Sequence, residues 1–579
     1  MTTIEGILQT KDYESFMILS DTGNRLLDFT GAKKTNKCLP GDHVKWNSEK
    51  ECCELELRNE FPLIVGTLEL TNKSKYGLTS RGIPIYLFTP YEKRFPQFIV
   101  GSSEKDTTHN KIALIKFDTW AKNSTFPRGQ LQQILGNSGE YEAELQALIW
   151  QASPVRYPKG DWVPKTTEIL PRKKIKWGTT FNIDPEGCRD IDDVLTFEEI
   201  DGGWYITITI SDVARYIDDG SVEDIFASLI GQTLYLDGKV ERPMLPVEYS
   251  EKVCSLLPGK QSYGVSLSFQ WSPLGISRVE WFESEFENNR SYTYEEFQND
   301  NFNHYRDGLK DFASYLAGEE INDSHRWIEE CMKFYNIEAA KMLKQAKMGL
   351  LRRHSTPNME RIEQYKKLRE QIGIQLEQLA FQSAEYCLAE DDNTKHYGLN
   401  TETYTHATSP IRRYADLVNQ RVLKIILQAQ QNSNDCEKKE VEQYIVPLAT
   451  YDINHRQKAI KAFERDVFFL RAIKEEKENK SNKKESEKER KKEFEGIALD
   501  LTENSEKKTI KLRIYVQDWK RTISAEYKTP RLGVILSRDE KQEFEIKEFS
   551  KVLFQYTFNP NARNWKERVI IQLTNILDN

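Results

Sequence analysis

Along the first sixty residues apolar and polar positions alternate, as around Phe16-Met17-Ile18-Leu19. The alternation breaks at Pro40-Gly41-Asp42 and resumes at Val44-Lys45-Trp46. Period-two alternation marks strands with one buried face, and Gly/Pro/Asp clusters mark turns. Residues 1–60 therefore predict a small antiparallel barrel. A second β-rich stretch starts near Phe61, with strands at Ile83 to Phe88 and Phe98 to Val100. It closes with a helix from Glu140 to Trp150, after the turn at Pro127-Arg128-Gly129. Tyr13, Phe16, Tyr76 and Tyr91 are expected in the two barrel cores. Pro154, Pro158, Gly160 and Pro164 mark residues 151–165 as a linker.

Downstream the pattern turns mixed. An apolar strand ends in Ile210-Ser211-Asp212-Val213, and helical spacing runs from Ile328 to Leu343 and from Tyr451 to about Ala472. In the latter, Ala459, Ala462, Phe463, Val467 and Leu470 share one face. From Lys474 to Glu493 there is no apolar residue, which predicts a solvated helix extension or a tether. Strand patterns return from Phe494 to Leu573, for example Ile510-Lys511-Leu512-Arg513-Ile514. A chain of 579 residues has room for three or four such domains.

Two segments carry chemistry. Asp184-Pro-Glu-Gly-Cys-Arg-Asp190-Ile-Asp192-Asp193 packs four aspartates into ten residues where a strand pattern breaks into a loop. Each carboxylate disfavours ionising the next, and a hard cation such as magnesium removes that penalty through oxygen ligands. Two such cations suit hydrolysis of a phosphodiester. Neither register of the loop offers the glycine and glutamate that a calcium-binding EF-hand needs; the bland alternative is a solvated acidic loop. The second segment is Tyr404-Thr-His-Ala-Thr-Ser409-Pro410-Ile-Arg412-Arg413-Tyr414-Ala-Asp416. Ser409 and Pro410 predict a helix start, with Ser as N-cap and Pro in the first turn. Two arginines beside a helix start suit phosphate.

Together with three further blocks, these segments resemble the ribonuclease II / ribonuclease R (RNB) family, which includes the exosome catalytic subunit. The three are Ile208-Thr-Ile210-Ser-Asp212-Val213, Tyr235 with Pro243-Met244-Leu245-Pro246 and Cys254-Ser255-Leu256, and Tyr292-Thr293-Tyr294-Glu295-Glu296. The resemblance implies an α+β multidomain chain. Cold-shock-type OB β-barrels would occupy 1–60 and 61–153, a mixed α/β RNB catalytic domain 154–478, a charged tether 479–493, and a C-terminal ribosomal-protein-type OB barrel 494–579. It implies a processive 3′→5′ exoribonuclease that uses magnesium, with manganese as a substitute, in a two-metal site. Asp184, Asp190, Asp192 and Asp193 would hold the metals, Asp192 being the indispensable one. Arg412 would stabilise charge on the scissile phosphate, Tyr294 would contact that phosphate, and Tyr235 would stack on the 3′-terminal base. Arg413 would support the helix start or a more distant phosphate, and Glu330 would reach the terminal ribose. The chain departs from the family at Asn419-Gln420-Arg421, where relatives carry Asn-His-Arg. The short segment after Tyr294 leaves the second base-clamping aromatic unassigned. The competing reading is an RNA-binding regulator that keeps this fold without hydrolysis.

Composition changes this picture in two places. A net charge of −8 and a pI near 5.8 argue against general adhesion to nucleic acid, although a channel can still be locally basic while the exterior is acidic. The eight cysteines show only one adjacent pair, Cys52-Cys53, and no C-x2-C spacing, against a zinc site or a disulfide framework. No apolar run approaches a membrane span, and the N-terminus is polar. The expectation is a cytoplasmic monomer acting on single-stranded RNA.

Overall fold

The computed structural model describes residues 4–20, 23–58, 62–72, 76–160, 162–166, 172–300, 303–373, 375–431, 450–481, 493–531, 533–537, 540–562 and 565–577. The chain divides into two compact units, Met1–Val155 with Lys458–Asn579, and Arg156–Gln457.

The first unit is built from β modules whose alternation is visible in the sequence. The antiparallel sheet nearest the N-terminus runs in the order Arg25–Thr30, Ser15–Leu19, Glu5–Thr10, His43–Asn47, Cys52–Leu57. It buries Leu8, Phe16, Ile18, Phe29 and Val44, and Phe16 stacks on Phe29 at 5.3 Å. The next module closes into a five-stranded barrel of Ile64–Leu68, Ile85–Pro90, Phe98–Gly101, Lys111–Thr119 and Arg128–Asn137. Its following helix, Tyr141–Ala152, buries Leu145, Leu148, Ile149 and Trp150. Phe16 and Tyr91 are buried, and Tyr13 packs on the core. Tyr76, expected inside, is 37% exposed and meets Phe126 edge-on.

A third five-stranded sheet spans Phe494–Leu577. Buried Ile510, Leu512, Ile514 and Val516 alternate there with outward residues such as Lys511 and Arg513. Trp519 is its buried centre, ringed by Phe469, Phe494, Phe554 and Tyr556. Phe469 comes from the helix Thr450–Ser481, which extends beyond the predicted Ala472 into the charged stretch; residues 482–492 of the predicted tether lie outside the described residues. Arg568, in the turn before the last strand, is fully buried. It donates to Glu144 and Tyr91 of the barrel module and to Thr67.

The second unit is organised by a mixed seven-stranded sheet. Its order is Lys173–Lys174, Gly275–Glu287, Gln261–Ser272, Gly203–Ser211, Asp193–Ile200, Thr179–Asp184, Arg290–Thr293. Pairing is antiparallel in the middle and parallel at both edges. One face carries Phe181, Leu195, Phe197, Ile206, Ile208, Ile210 and Phe269 against Leu309, Phe312, Trp327, Tyr335 and Leu343 of the helices His304–Ala317 and Ser324–Ala346. The alternate positions, Thr207, Thr209, Ser266, Ser268 and Ser284, are also buried. Their hydroxyls pair across strands at 2.7–2.8 Å, which satisfies groups that would otherwise be costly to bury. No helix among the described residues is long and apolar enough to cross a membrane.

Candidate active site

Strand register brings the chemistry together. Thr179–Asp184 pairs antiparallel with Asp193–Ile200, so the acidic loop joins two neighbouring strands, with Asp184 ending one and Asp193 opening the next. On its other side Thr179–Asp184 runs parallel to Arg290–Thr293, opposing Asp184 to Thr293 and setting Tyr294 beside the loop. The loop is then pinned. Ser211 N–H donates to the Asp192 carbonyl at 2.8 Å, Ile191 N–H to Ser255 Oγ at 3.0 Å, and Leu256 N–H to the Ile191 carbonyl at 3.1 Å.

The arginine segment arrives from more than two hundred residues away and closes on Asp192. Ile411 N–H donates to Asp192 Oδ1 at 3.0 Å and Arg412 Nε to Asp192 Oδ2 at 3.1 Å, while Arg412 Nη2 reaches Ser409 Oγ at 2.9 Å. The predicted helix start at Ser409-Pro410 is corrected. The helix begins at Tyr414, and residues 410–412 form a tight turn in which Arg413 N–H bonds the Ser409 carbonyl. Tertiary bonds hold it there: Ser409 N–H to Asp416 Oδ1, and Tyr414 N–H to the Gly231 carbonyl. Arg413 is tied back by Asp416 at 2.8 Å. Thr233 N–H donates to the Arg412 carbonyl, anchoring the hairpin Leu234–Leu236 / Lys239–Arg242 that carries Tyr235. Tyr235 OH then lies 3.3 Å from Asp190 Oδ2.

The result is a cleft of about 940 Å³ lined by Asp184, Asp190, Asp192, Asp193, Tyr235, Tyr294, Arg412 and Arg413. Eight of the nine residues singled out in the sequence meet there. The ninth, Glu330, is not among the lining residues and pairs with Lys333 at 2.9 Å. Its neighbour Glu329 does line the cleft, with His325, Ile328, Met332, Lys333 and Asn336 on one helical face. Sequence reasoning missed this face, whose spacing of three and four is its only signal. It also missed Asn336, which accepts from Ala407 N–H and donates to Tyr404 OH, fixing the approach to Ser409.

Electrostatics set the cleft apart. Burial pushes Asp192 up to about 7, against the opposing pull of Arg412 and the Ile411 N–H. Burial first, then Asp190, raises Asp184; burial first, then Asp184 and Asp192, raises Asp193 well above the usual carboxylate range. Burial alone would lower Arg412, but Asp192 reverses this and keeps the guanidinium charged. Burial and the nearby Arg413 and Arg352 hold His406 neutral, and burial raises the phenols of Tyr235 and Tyr294. Carboxylates crowded so that their ionisation is suppressed are a donor set that a hard cation relieves. Among the described residues no three acidic, histidine or cysteine side chains are grouped so as to hold a metal ion by themselves. An open, oxygen-only set still fits magnesium, which keeps waters and takes substrate phosphate oxygens beside a few carboxylates.

Comparison with known proteins bears on the domains and the fold. The RNB domain model matches residues 172–307 and 307–429, and the Dis3-like cold-shock domain 2 model matches residues 85–153. The human exosome complex exonuclease RRP44 is 26% identical over 476 residues, covering 66% of this chain and 49% of that protein. Ribonuclease R of Buchnera aphidicola is 26% identical over 463 residues, covering 65% and 62%. This chain thus spans about half the length of the RRP44 proteins it matches. In fold it is similar to Mycoplasma genitalium RNase R in complex with single-stranded RNA, with a TM-score of 0.67 at 17% identity over 99% of this chain and 100% of that one. Yeast Ssd1, a pseudonuclease, aligns with a TM-score of 0.59 at 18% identity over 96% and 82%. The chain thus contains an RNB domain over residues 172–429, with a Dis3-like cold-shock domain over residues 85–153 ahead of it in the sequence.

Proposed function

We propose that this protein is a magnesium-dependent, processive 3′→5′ exoribonuclease that hydrolyses single-stranded RNA to nucleoside 5′-monophosphates in RNA turnover. The observation that carries this reading is the gathering of Asp184, Asp190, Asp192, Asp193, Arg412, Tyr294 and Tyr235 around one cleft. The four aspartates would hold magnesium, or manganese in its place, and the fit rests on their oxygen-only donors and suppressed ionisation. Bound there, such ions supply an activated water and charge stabilisation for in-line displacement at phosphorus.

The chain's own residues do the rest. Asp192 fixes the Arg412 guanidinium by its Nε, leaving the side chain 40% exposed toward the scissile phosphate. That placement stabilises developing charge without reorganisation at the moment of reaction. Tyr294, neutral and beside the loop, donates a hydrogen bond to the phosphate. Tyr235 stacks on the 3′-terminal base and holds it as the next phosphodiester enters register. Displacement of the preceding nucleotide's 3′-oxygen leaves the released nucleotide with its 5′-phosphate.

The pseudonuclease Ssd1 among the structural neighbours favours one second reading, an RNA-binding protein without hydrolysis. The intact set of four aspartates with Arg412 and Tyr294 weighs against it. A time course on 5′-labelled single-stranded RNA, with magnesium and with EDTA, separates the two. Magnesium-dependent shortening to a few nucleotides supports the exonuclease, and intact RNA with a retained gel shift supports the binding protein.

A further inference from the structure

Tyr294 does not stand alone in the cleft. The His325 imidazole lies flat on its ring, with centroids 3.9 Å apart and planes 10° from parallel. Elsewhere in this unit His396 and Tyr404 meet edge-on at 66°, His406 and Tyr386 at 75°, and His406 and Tyr404 at 83°, while His304 lies nearer parallel to Trp204, at 25° and a longer 5.8 Å. The His325 side chain lines the cleft and remains 60% exposed although Tyr294 covers one face of its ring. The other face is thus open.

The ring is also held in place. Asp323 is the N-cap of the helix Ser324–Ala346 and accepts from His325 N–H at 3.0 Å, with its Oδ1 also 3.2 Å from His325 Nδ1. Ser324 Oγ donates to the Tyr294 carbonyl at 3.0 Å, and Ser324 N–H to Gln298 Oε1 at 2.9 Å. Two helix starts are thereby stitched together with their rings in register. One and two turns on, Ile328 and Met332 continue the same wall as an apolar surface. A flat ring, one face covered and one open, above an apolar wall and beside an acidic loop, suits a nucleobase, since every base offers a π-face for stacking.

We propose that His325 is a base-stacking residue of this cleft, steadying Tyr294 with one face and taking on the other the base of a nucleotide beside the scissile phosphate. The inference rests on the ribonuclease reading and adds a residue to it. The test uses the full chain in EDTA, where binding is read without hydrolysis. The probes are single-stranded RNA oligomers carrying 2-aminopurine at the 3′-terminal, penultimate or an interior position. The parent protein quenches fluorescence at one of the two 3′ positions. His325→Ala loses that quench and weakens binding about tenfold, the scale of one lost stack, while His325→Phe, which keeps a ring, restores both. Equal quenching by the parent and His325→Ala overturns the inference, as does failure of His325→Phe to restore what alanine removes. A parent that shortens RNA in magnesium while the quench is indifferent to His325 leaves the ribonuclease reading standing and removes this residue from it. A parent that neither binds nor cuts RNA overturns both.

Discussion

Replacing Asp192 with Asn alters one atom of the buried carboxylate and tests the core of the mechanism. The amide oxygen can still accept from Ile411 N–H, now 3.0 Å from Oδ1. The amide nitrogen cannot accept from Arg412 Nε, now 3.1 Å from Oδ2, so donor faces donor. A hydrogen bond to a charged group is worth about 1.5–3 kcal/mol. Because the Arg412 side chain is 40% exposed, water replaces part of it. Loss of the strained carboxylate, already pushed up to about 7, offsets another part. The net cost is about 1 kcal/mol, or a fall of about 2–4 °C in Tm. Activity should fall much further. Removing one preorganised electrostatic contact in an active site costs about 10²–10³ in rate, and this substitution both frees Arg412 and removes a ligand charge. Single-turnover hydrolysis of 5′-labelled RNA at saturating magnesium should drop by at least about 10³, with RNA affinity, measured by filter binding in EDTA, within about threefold of the parent. A folded variant that cuts within tenfold of the parent rate refutes the role given to Asp192. A collapse of Tm by more than about 10 °C would show instead that this carboxylate serves the fold.

Tyr235→Ala should lengthen the limit product on a sequencing gel, whereas Tyr235→Phe, which loses only the hydroxyl near Asp190, should leave its length unchanged; an unaltered product with alanine assigns the clamp to another ring. Arg568→Ala leaves the Glu144 carboxylate buried, at 2% exposure, without its guanidinium. A cost of about 3–5 kcal/mol is expected, read as earlier urea unfolding of the β modules, and a midpoint unchanged from the parent would remove this ion pair from their stability. His396 titrates at about 4, below the ordinary 6.5, because burial and then His354 and Arg352 disfavour its cation. The unfolded chain therefore binds the extra proton between these values, and the stabilisation is present above pH 6.5 and lost as pH falls toward 4. His396→Asn should flatten the stability difference across that window by about 3 kcal/mol; parallel pH–stability curves for the two proteins would refute the assignment.

The features legible in the sequence are those whose cause is local. Four aspartates within ten residues advertise their charge problem wherever they fold, and Ser-Pro-Ile-Arg-Arg reads as a phosphate-binding segment without its partner. The alternation Ile206-Thr207-Ile208-Thr209-Ile210 marks a strand, but it does not say what covers its threonines. In the fold they are buried and satisfied by Ser266 and Ser268, because a neighbouring strand supplied by later sequence covers them. Likewise, local rules start the arginine helix at Ser409. The structure delays it to Tyr414 because Gly231 and Asp416 take the first backbone donors.

Side-chain direction on a helix was the other quantity out of reach. Successive residues differ by about 100° around the axis, and periodicity alone does not orient the helix Ser324–Ala346 toward the cleft. The choice between Glu329 and Glu330, and the meeting of His325 with Tyr294, follow from how that helix docks on the sheet. The sequence by itself determined the kinds of groups this protein brings to its cleft and the segments that carry them. Tertiary structure decided which of them meet, since contact between Asp192 and Arg412, 220 positions apart, depends on strand register and helix docking, which no local pattern encodes.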